Sequence, residues 1–324
     1  MHRVLTVDVH LPPGHRRAAM AADARAGLTA SPKSLPPIWF YDERGSELFD
    51  EITRLPEYYP TRTERAILSR YADEIVATAR ADVLVELGSG TSDKTRLLLD
   101  AMARAEQLDA FVPFDVSEET LRRAAVDITN AYGIDVHAIV GDFHRDLGSI
   151  PRGSRRIVAF LGGTIGNLTR AHRRRFLVDL DSTLDYDEWL LLGTDLVKDR
   201  DRLTAAYDDA AGVTAAFNRN VLGVLNRELG AHFDLDAFEH VVRWNDAKRW
   251  IEMRLRAREQ QLVAIDDLAL TVPFARGEEM LTEIAAKFTA EQVRGELWDG
   301  GFVVESSWTD PAGDFMLTLA HPYC

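Results

Sequence analysis

The chain has 324 residues, 46% hydrophobic and 28% charged, which suits a globular enzyme with one core domain and an appended lobe. Its net charge of −14 argues against a nucleic-acid partner, which would call for a basic footprint. Cys324, the last residue, is the only cysteine and the nine histidines fall in no ligand spacing, so disulfides, iron–sulfur clusters and thiolate zinc are excluded and no metal is expected. In chain order, residues 1–30 read as an irregular start followed by a helix over 16–28, which Pro32, Pro36 and Pro37 then break. Residues 45–53 are expected to be helical, 55–61 a rigid loop holding Tyr58 and Tyr59, and 63–79 a second helix.

From Val83 the pattern becomes strand–helix alternation, and its first turn is the most telling segment. Val83-Leu84-Val85-Glu86-Leu87 runs into Gly88-Ser89-Gly90 before a helical segment at 93–104. Glycines at the carboxyl end of a strand let the backbone approach a ligand, as at the first turn of nucleotide-binding sheets. The dinucleotide fingerprint would need glycine at position 93, where Asp93 stands. A phosphate cradle is excluded by the same residue, because Asp93-Lys94-Thr95 puts a carboxylate where the anion would sit. The turn therefore suits a nucleoside without phosphates, and a cationic sulfonium such as S-adenosylmethionine fits an acid-rich site. The competing reading is a purely structural glycine turn.

Two further strand ends carry acids. The strand at 111–114 closes on Asp115, placed to hold ribose hydroxyls. The strand at 136–140 closes on Gly141-Asp142-Phe143, where Asp142 would accept from an adenine amino group and Phe143 pack on the ring. Either acid alone reads equally as a helix cap. Strands at 157–161 and 189–193 with a helix at 170–184 continue the rhythm, so a doubly wound, mostly parallel sheet is expected. The rhythm breaks at Asp195: one or two helices over 199–229 precede alternating strands through 274. A helix at 291–299 and strands at 303–308 and 315–320 form a closing antiparallel pair. The expected architecture is a Rossmann-like class I methyltransferase core with a second α+β substrate-binding lobe. Its parts are an N-terminal segment, 1–60, packing with that lobe, a core over 61–197, the inserted lobe over 198–286, and the end of the core over 287–324.

Several long runs resemble one family, the histidine-specific, S-adenosylmethionine-dependent Nα-methyltransferases that form hercynine in ergothioneine biosynthesis. They include PKSLPP from Pro32, WFYD from Trp39, ITRLPEYYPTR from Ile52, FLGGTIGNL from Phe160, LLGTDLVKD from Leu191 and AYDDAAGVTAAFNRN from Ala206. The resemblance implies that Gly88, Lys94, Asp115, Asp142 and Phe143 line the S-adenosylmethionine site. It implies that Tyr41, Tyr58, Gly162, Asn167 and Tyr207 hold the amino-acid backbone of the acceptor, with Tyr41 and Asn167 nearest the reacting amine. Met253 and Glu283 would contact the acceptor side chain. Taken without the resemblance, the tyrosines read as core residues, Asn167 as a turn residue and Glu283 as a solvated strand acid.

One position departs from the family pattern, in which Glu, one residue and Ser both reach the imidazole. Here Glu283-Ile284-Ala285 keeps the acid and loses the hydroxyl. Residues two apart in a strand share a face, so Ala285 would still line the pocket. Histidine leads as acceptor, and a paralogue acting on tryptophan, tyrosine or a related amine is the alternative. No apolar run has membrane-spanning length and no signal-type apolar stretch follows the N-terminus, so a cytoplasmic, monomeric enzyme without membrane contact is expected.

Overall fold

The computed structural model describes residues 4–11, 14–90 and 92–323, and divides into two compact units. The first holds residues 1–12, 60–197 and 288–324, the second 13–59 and 198–287. In chain order, the first unit begins with strands β1 (Leu5–Val9), β2 (Val83–Leu87), β3 (Ala110–Asp115), β4 (Asp135–Val140), β5 (Arg156–Phe160) and β6 (Trp189–Asp195). The second unit supplies β7 (Phe238–Asn245), β8 (Trp250–Ala257), β9 (Gln261–Ile265), β10 (Leu270–Phe274) and β11 (Glu279–Ala286). The chain returns to the first unit with β12 (Phe302–Thr309) and β13 (Phe315–Pro322).

The first unit is an eight-stranded sheet in the order β1-β4-β3-β2-β5-β6-β13-β12. All pairings up to β6 are parallel, and β13 and β12 close the sheet antiparallel. β2 and β5 are buried along their whole length because both faces are covered. On one face Leu84, Ile157 and Ala159 join a core with Leu68, Ile75, Leu98 and Leu121 from three helices. On the other, Phe160 packs on Phe176 of the helix Arg170–Asp181, ring centroids 4.8 Å apart. Strand order reverses between β2 and β5, so the turns after these two strands flank the crevice where such sheets bind ligands.

β1 corrects the expectation of an irregular start. Leu5–Val9 pairs in parallel with β4 at the sheet edge, and His137 and Asp8 meet across that pairing at 2.7 Å. Its alternation of apolar and polar residues is a strand pattern, but four of its five residues are exposed. The segment at 55–61 also differs from the rigid loop expected, because the next helix, Tyr59–Ala79, starts inside it.

In the second unit, β7, β8 and β11 form an antiparallel sheet in the order β11-β8-β7, and β9 and β10 pair as a hairpin. Helix Val213–Leu229 buries Phe217, Asn218, Val221, Leu222 and Leu225 at helical spacing. Leu48 and Ile52 of the helix Glu43–Ile52 belong to the same core. No helix among the described residues is long and apolar enough to cross a membrane.

Candidate active site

The first unit gathers the expected cofactor residues around the turn after β2. Gly88 and Gly90 adopt φ of +70° and +50°, and a Cβ on either would project into open space. Phe114 carbonyl accepts from the Gly88 N–H at 2.8 Å, and Asp115 Oδ2 accepts from the Gly90 N–H at 3.0 Å. Asp115 Oδ1 accepts from the Ser117 N–H at 2.9 Å, so this carboxylate is fixed by backbone on both sides. At the end of β4, Asp142 Oδ1 accepts from the His144 N–H at 2.9 Å, and Phe143 packs edge-on against Phe160 at 5.3 Å.

Two buried acids lie here: Glu64, which the sequence did not mark, and Glu86, which it marked only as the acid at the first strand end. Glu64, on the helix Tyr59–Ala79, is fully buried and accepts from the Gly162 N–H with both oxygens at 2.8 and 3.0 Å. It also binds the Lys94 ammonium. A Cβ at Gly193 would collide with the Glu64 carboxylate, so that glycine makes the seat possible. Gly162 adopts φ +77°, and a Cβ there would lie 3.6 Å from the Lys94 ammonium. Glu86, buried near the end of β2, accepts from the Thr95 hydroxyl through Oε1, while its Oε2 has no hydrogen-bond partner among the described residues. Burial pushes its pKa up to about 8, against the Thr95 hydrogen bond and the Lys94 charge. The Ser89 hydroxyl is also buried without a partner among the described residues. A buried carboxyl oxygen and a hydroxyl left unsatisfied around a glycine turn fit a ligand that brings N–H donors and positive charge, as the amino group and sulfonium of S-adenosylmethionine do. Among the described residues, no cluster of three or more His, Cys, Asp or Glu is placed to hold a metal.

Asn167 closes the single turn Thr164–Asn167 after β5. Its side-chain amide makes no hydrogen bond among the described residues, although Asn167 is partly buried. Gly162 and Asn167 thus belong to the first unit, and the remaining acceptor candidates to the second.

The second unit lines up three tyrosines through one phenylalanine. Tyr41 meets Phe49 at 5.7 Å, Phe49 meets Tyr58 at 6.3 Å, and Tyr58 meets Tyr207 at 6.2 Å, all edge-to-face. Asn220 donates to Asp42 Oδ1 at 2.7 Å and so steadies the segment carrying Tyr41. Tyr207 hydroxyl accepts from the buried Lys287 ammonium at 2.7 Å, a contact absent from the sequence reading. A phenol accepting from a cation is a stronger donor in turn.

Glu283 stands opposite Met253 in the β11–β8 register, and Ala285 opposite Ile251 on the same face. Met253 and Ala285 are buried, whereas part of Glu283 remains accessible. Glu283 accepts no hydrogen bond among the described residues. Desolvation raises its pKa to about 7, with the Lys287 charge opposing.

A family model described as "Histidine-specific methyltransferase, SAM-dependent" matches residues 20–322. Histidine N-alpha-methyltransferase of Mycolicibacterium smegmatis is 62% identical over 317 residues, covering 98% of this chain and 99% of that protein. The protein of the same name from Mycobacterium tuberculosis is 54% identical over the same shares of both chains. Ergothioneine biosynthesis protein 1 of Neurospora crassa is 31% identical over 226 residues, 66% of this chain and 26% of that longer protein. With a family model spanning nearly the whole chain and relatives 62% and 54% identical over 98% of it, the chain belongs to the histidine-specific, S-adenosylmethionine-dependent methyltransferases.

Proposed function

We propose that this enzyme transfers methyl groups from S-adenosylmethionine to the α-amino nitrogen of L-histidine, three times in succession, giving hercynine for ergothioneine biosynthesis. The observation that carries the acceptor's identity is Glu283. A partly dehydrated carboxylate without a hydrogen-bond donor, beside buried Met253, calls for an N–H group on the acceptor side chain. Imidazole supplies that N–H and a phenyl ring supplies none; indole and phenol also carry a donor, and the relatives 62% and 54% identical, both named histidine N-alpha-methyltransferase, favour histidine over them.

S-adenosylmethionine, when bound, contributes an electrophilic methyl on a cationic sulfur. The chain's own residues orient it and prepare the amine. Gly88 and Gly90 keep the turn open, Asp115 and Asp142 present carboxylates to ribose and adenine, and Phe143 offers an apolar face. Lys94, anchored by Glu64, places its ammonium for the methionine carboxylate. Tyr58 and Tyr207 donate to the carboxylate of the amino acid, and Asn167 binds its amino group. An α-amino group with a pKa near ~8 must lose a proton before it can attack. Tyr41 is the group proposed to pass that proton to solvent. Small residues at Gly162 and Gly163 leave room for the methyls already transferred. Catalysis here is chiefly alignment of nitrogen, methyl and sulfur.

Under the same proposal the enzyme works as a cytoplasmic monomer on a free amino acid and without nucleic acid, in keeping with its charge of −14. Incubating the protein and S-adenosylmethionine with a panel of amino acids, followed by mass spectrometry, tests the reading. Mono-, di- and trimethyl histidine should appear in sequence, all on the α-nitrogen. A wild type that ignores histidine and methylates tryptophan or tyrosine overturns the acceptor and leaves the cofactor site standing.

A further inference from the structure

The run FNRN on the helix Val213–Leu229 carries an asparagine, Asn218, with no part in binding either reactant, yet it is fully buried. Its amide is saturated. Asn218 Nδ2 donates to the Arg254 carbonyl at 3.1 Å and to His240 Nδ1 at 2.8 Å, and Oδ1 accepts from the Thr282 hydroxyl at 2.7 Å. On its other side, His240 Nε2 donates to the Tyr207 carbonyl at 2.8 Å. Only one arrangement of protons satisfies all of these contacts: a neutral His240 protonated on Nε2 and accepting on Nδ1.

Thr282 occupies a special place in β11. The β11–β8 register shifts between Leu281 and Glu283, so Thr282 is the extra residue of a β-bulge. Its hydroxyl also lies 2.9 Å from the Met253 carbonyl, where the interrupted ladder leaves an acceptor. A bulge of this kind re-aims the residues that follow it, here Glu283 and then Ala285. One hydrogen-bonded chain thus runs from Tyr207 through His240 and Asn218 to Thr282, whose side chain lies against the Met253 carbonyl.

We infer that Asn218, His240 and Thr282 form a brace that sets the direction of Glu283, Met253 and Tyr207, and so act as positioning residues for acceptor specificity. The roles of those three wall residues rest on the function proposed above. The brace works on ground-state recognition: it aligns a wall that meets the acceptor side chain, remote from the transferring methyl. Its loss should therefore appear in KM and leave turnover nearly intact.

Thr282→Val keeps the shape of the side chain and removes the hydroxyl, leaving Asn218 Oδ1 unpaired. His240→Phe attacks the other end with a ring that neither donates nor accepts. Each variant is expected to raise the KM for histidine roughly tenfold. Turnover at saturation and the dissociation constant for S-adenosylmethionine should stay within about twofold of wild type. Thr282→Ser, which restores the hydroxyl, should recover most of the loss, and amide hydrogen exchange at Glu283 and Ala285 should quicken in the valine variant alone. An unchanged KM in either folded variant overturns the brace. So does a parallel loss of turnover and cofactor affinity, or a serine variant as impaired as the valine one. If the wild type fails to methylate histidine, the proposed acceptor falls. The brace is then judged by exchange at Glu283 and by the KM for whichever amino acid the wild type does methylate.

Discussion

The cofactor wall of the first unit and the acceptor wall of the second are built by opposite means. The first is made of backbone: two turns at adjacent strand ends, with acids fixed by N–H groups a few residues away or across one strand. The second is made of side chains that meet only through tertiary pairing, with Glu283 on one strand, Met253 on the next and Tyr207 between two helices. A third party holds each in place, Glu64 in the first unit and Asn218 in the second. On the proposed function, the first wall would serve the cofactor and the second would carry most of the choice of acceptor side chain. Substitutions in the first should therefore move cofactor affinity or stability, and those in the second should move acceptor preference.

The largest expected effect lies in the first unit and concerns stability. Glu86 titrates near 8 when folded against an ordinary value of 4.5, so the folded state holds its proton more tightly than the unfolded chain does. Stability is then highest below about pH 4.5 for this group and falls as pH rises toward 8. Glu86→Gln removes the ionisation. The cofactor-free variant should gain on the order of 2–4 kcal/mol over wild type at pH 8 and almost nothing at pH 5. It should also bind S-adenosylmethionine more weakly. Thermal melts at the two pH values check this, and a gain independent of pH would show that the buried charge is not the cause.

In the second unit, Glu283→Ala should lower kcat/KM for histidine by roughly ten- to hundredfold, the worth of a hydrogen bond to a charged group, with cofactor affinity unchanged. Calorimetry with S-adenosylmethionine alongside steady-state kinetics separates the two quantities. If cofactor binding fell as far as kcat/KM, the division of labour between the walls would be wrong. The mirror case is Asp115→Ala, which should weaken S-adenosylmethionine by about tenfold or more without altering the ranking of amino acids. A changed ranking there would tie the choice of acceptor to the cofactor wall.

The difference between the walls also explains what the sequence made legible. β2, β3 and β4 are short, mostly apolar runs with an acid at or beside their carboxyl ends, so Gly88, Asp115 and Asp142 stand out from local pattern alone. Glu64 could not, because nothing near it on its helix marks it; the only distant sign is Gly193, whose missing side chain makes its seat. Lys287 and the Asn218–His240–Thr282 chain were hidden for the same reason, since their partners lie 22 to 80 residues away. Tyr58, Tyr207 and Glu283 are site candidates through family resemblance and not through their own pattern. β1 escaped because an exposed edge strand of five residues carries too little apolar signal.

The smallest effect is expected at Ala285, and it tests the acceptor wall most finely. Ala285 is 4% exposed and shares the face of Glu283, two residues along β11. If Glu283 accepts from one imidazole nitrogen, the other faces a methyl group where the resemblance implies a hydroxyl. Ala285→Ser should then tighten histidine by roughly three- to tenfold, the net worth of one neutral hydrogen bond. Turnover should hardly change, because the contact is made equally in ground and transition states. Should the alanine instead serve a larger or less polar acceptor, the serine variant would lose affinity for that compound while gaining it for histidine. Competition among histidine, tryptophan, tyrosine and phenylalanine on both proteins distinguishes the cases. The decisive quantity is the ratio of histidine to its best competitor: a rise in the variant means the wall reads imidazole, and a fall means that Ala285 was selected for something else.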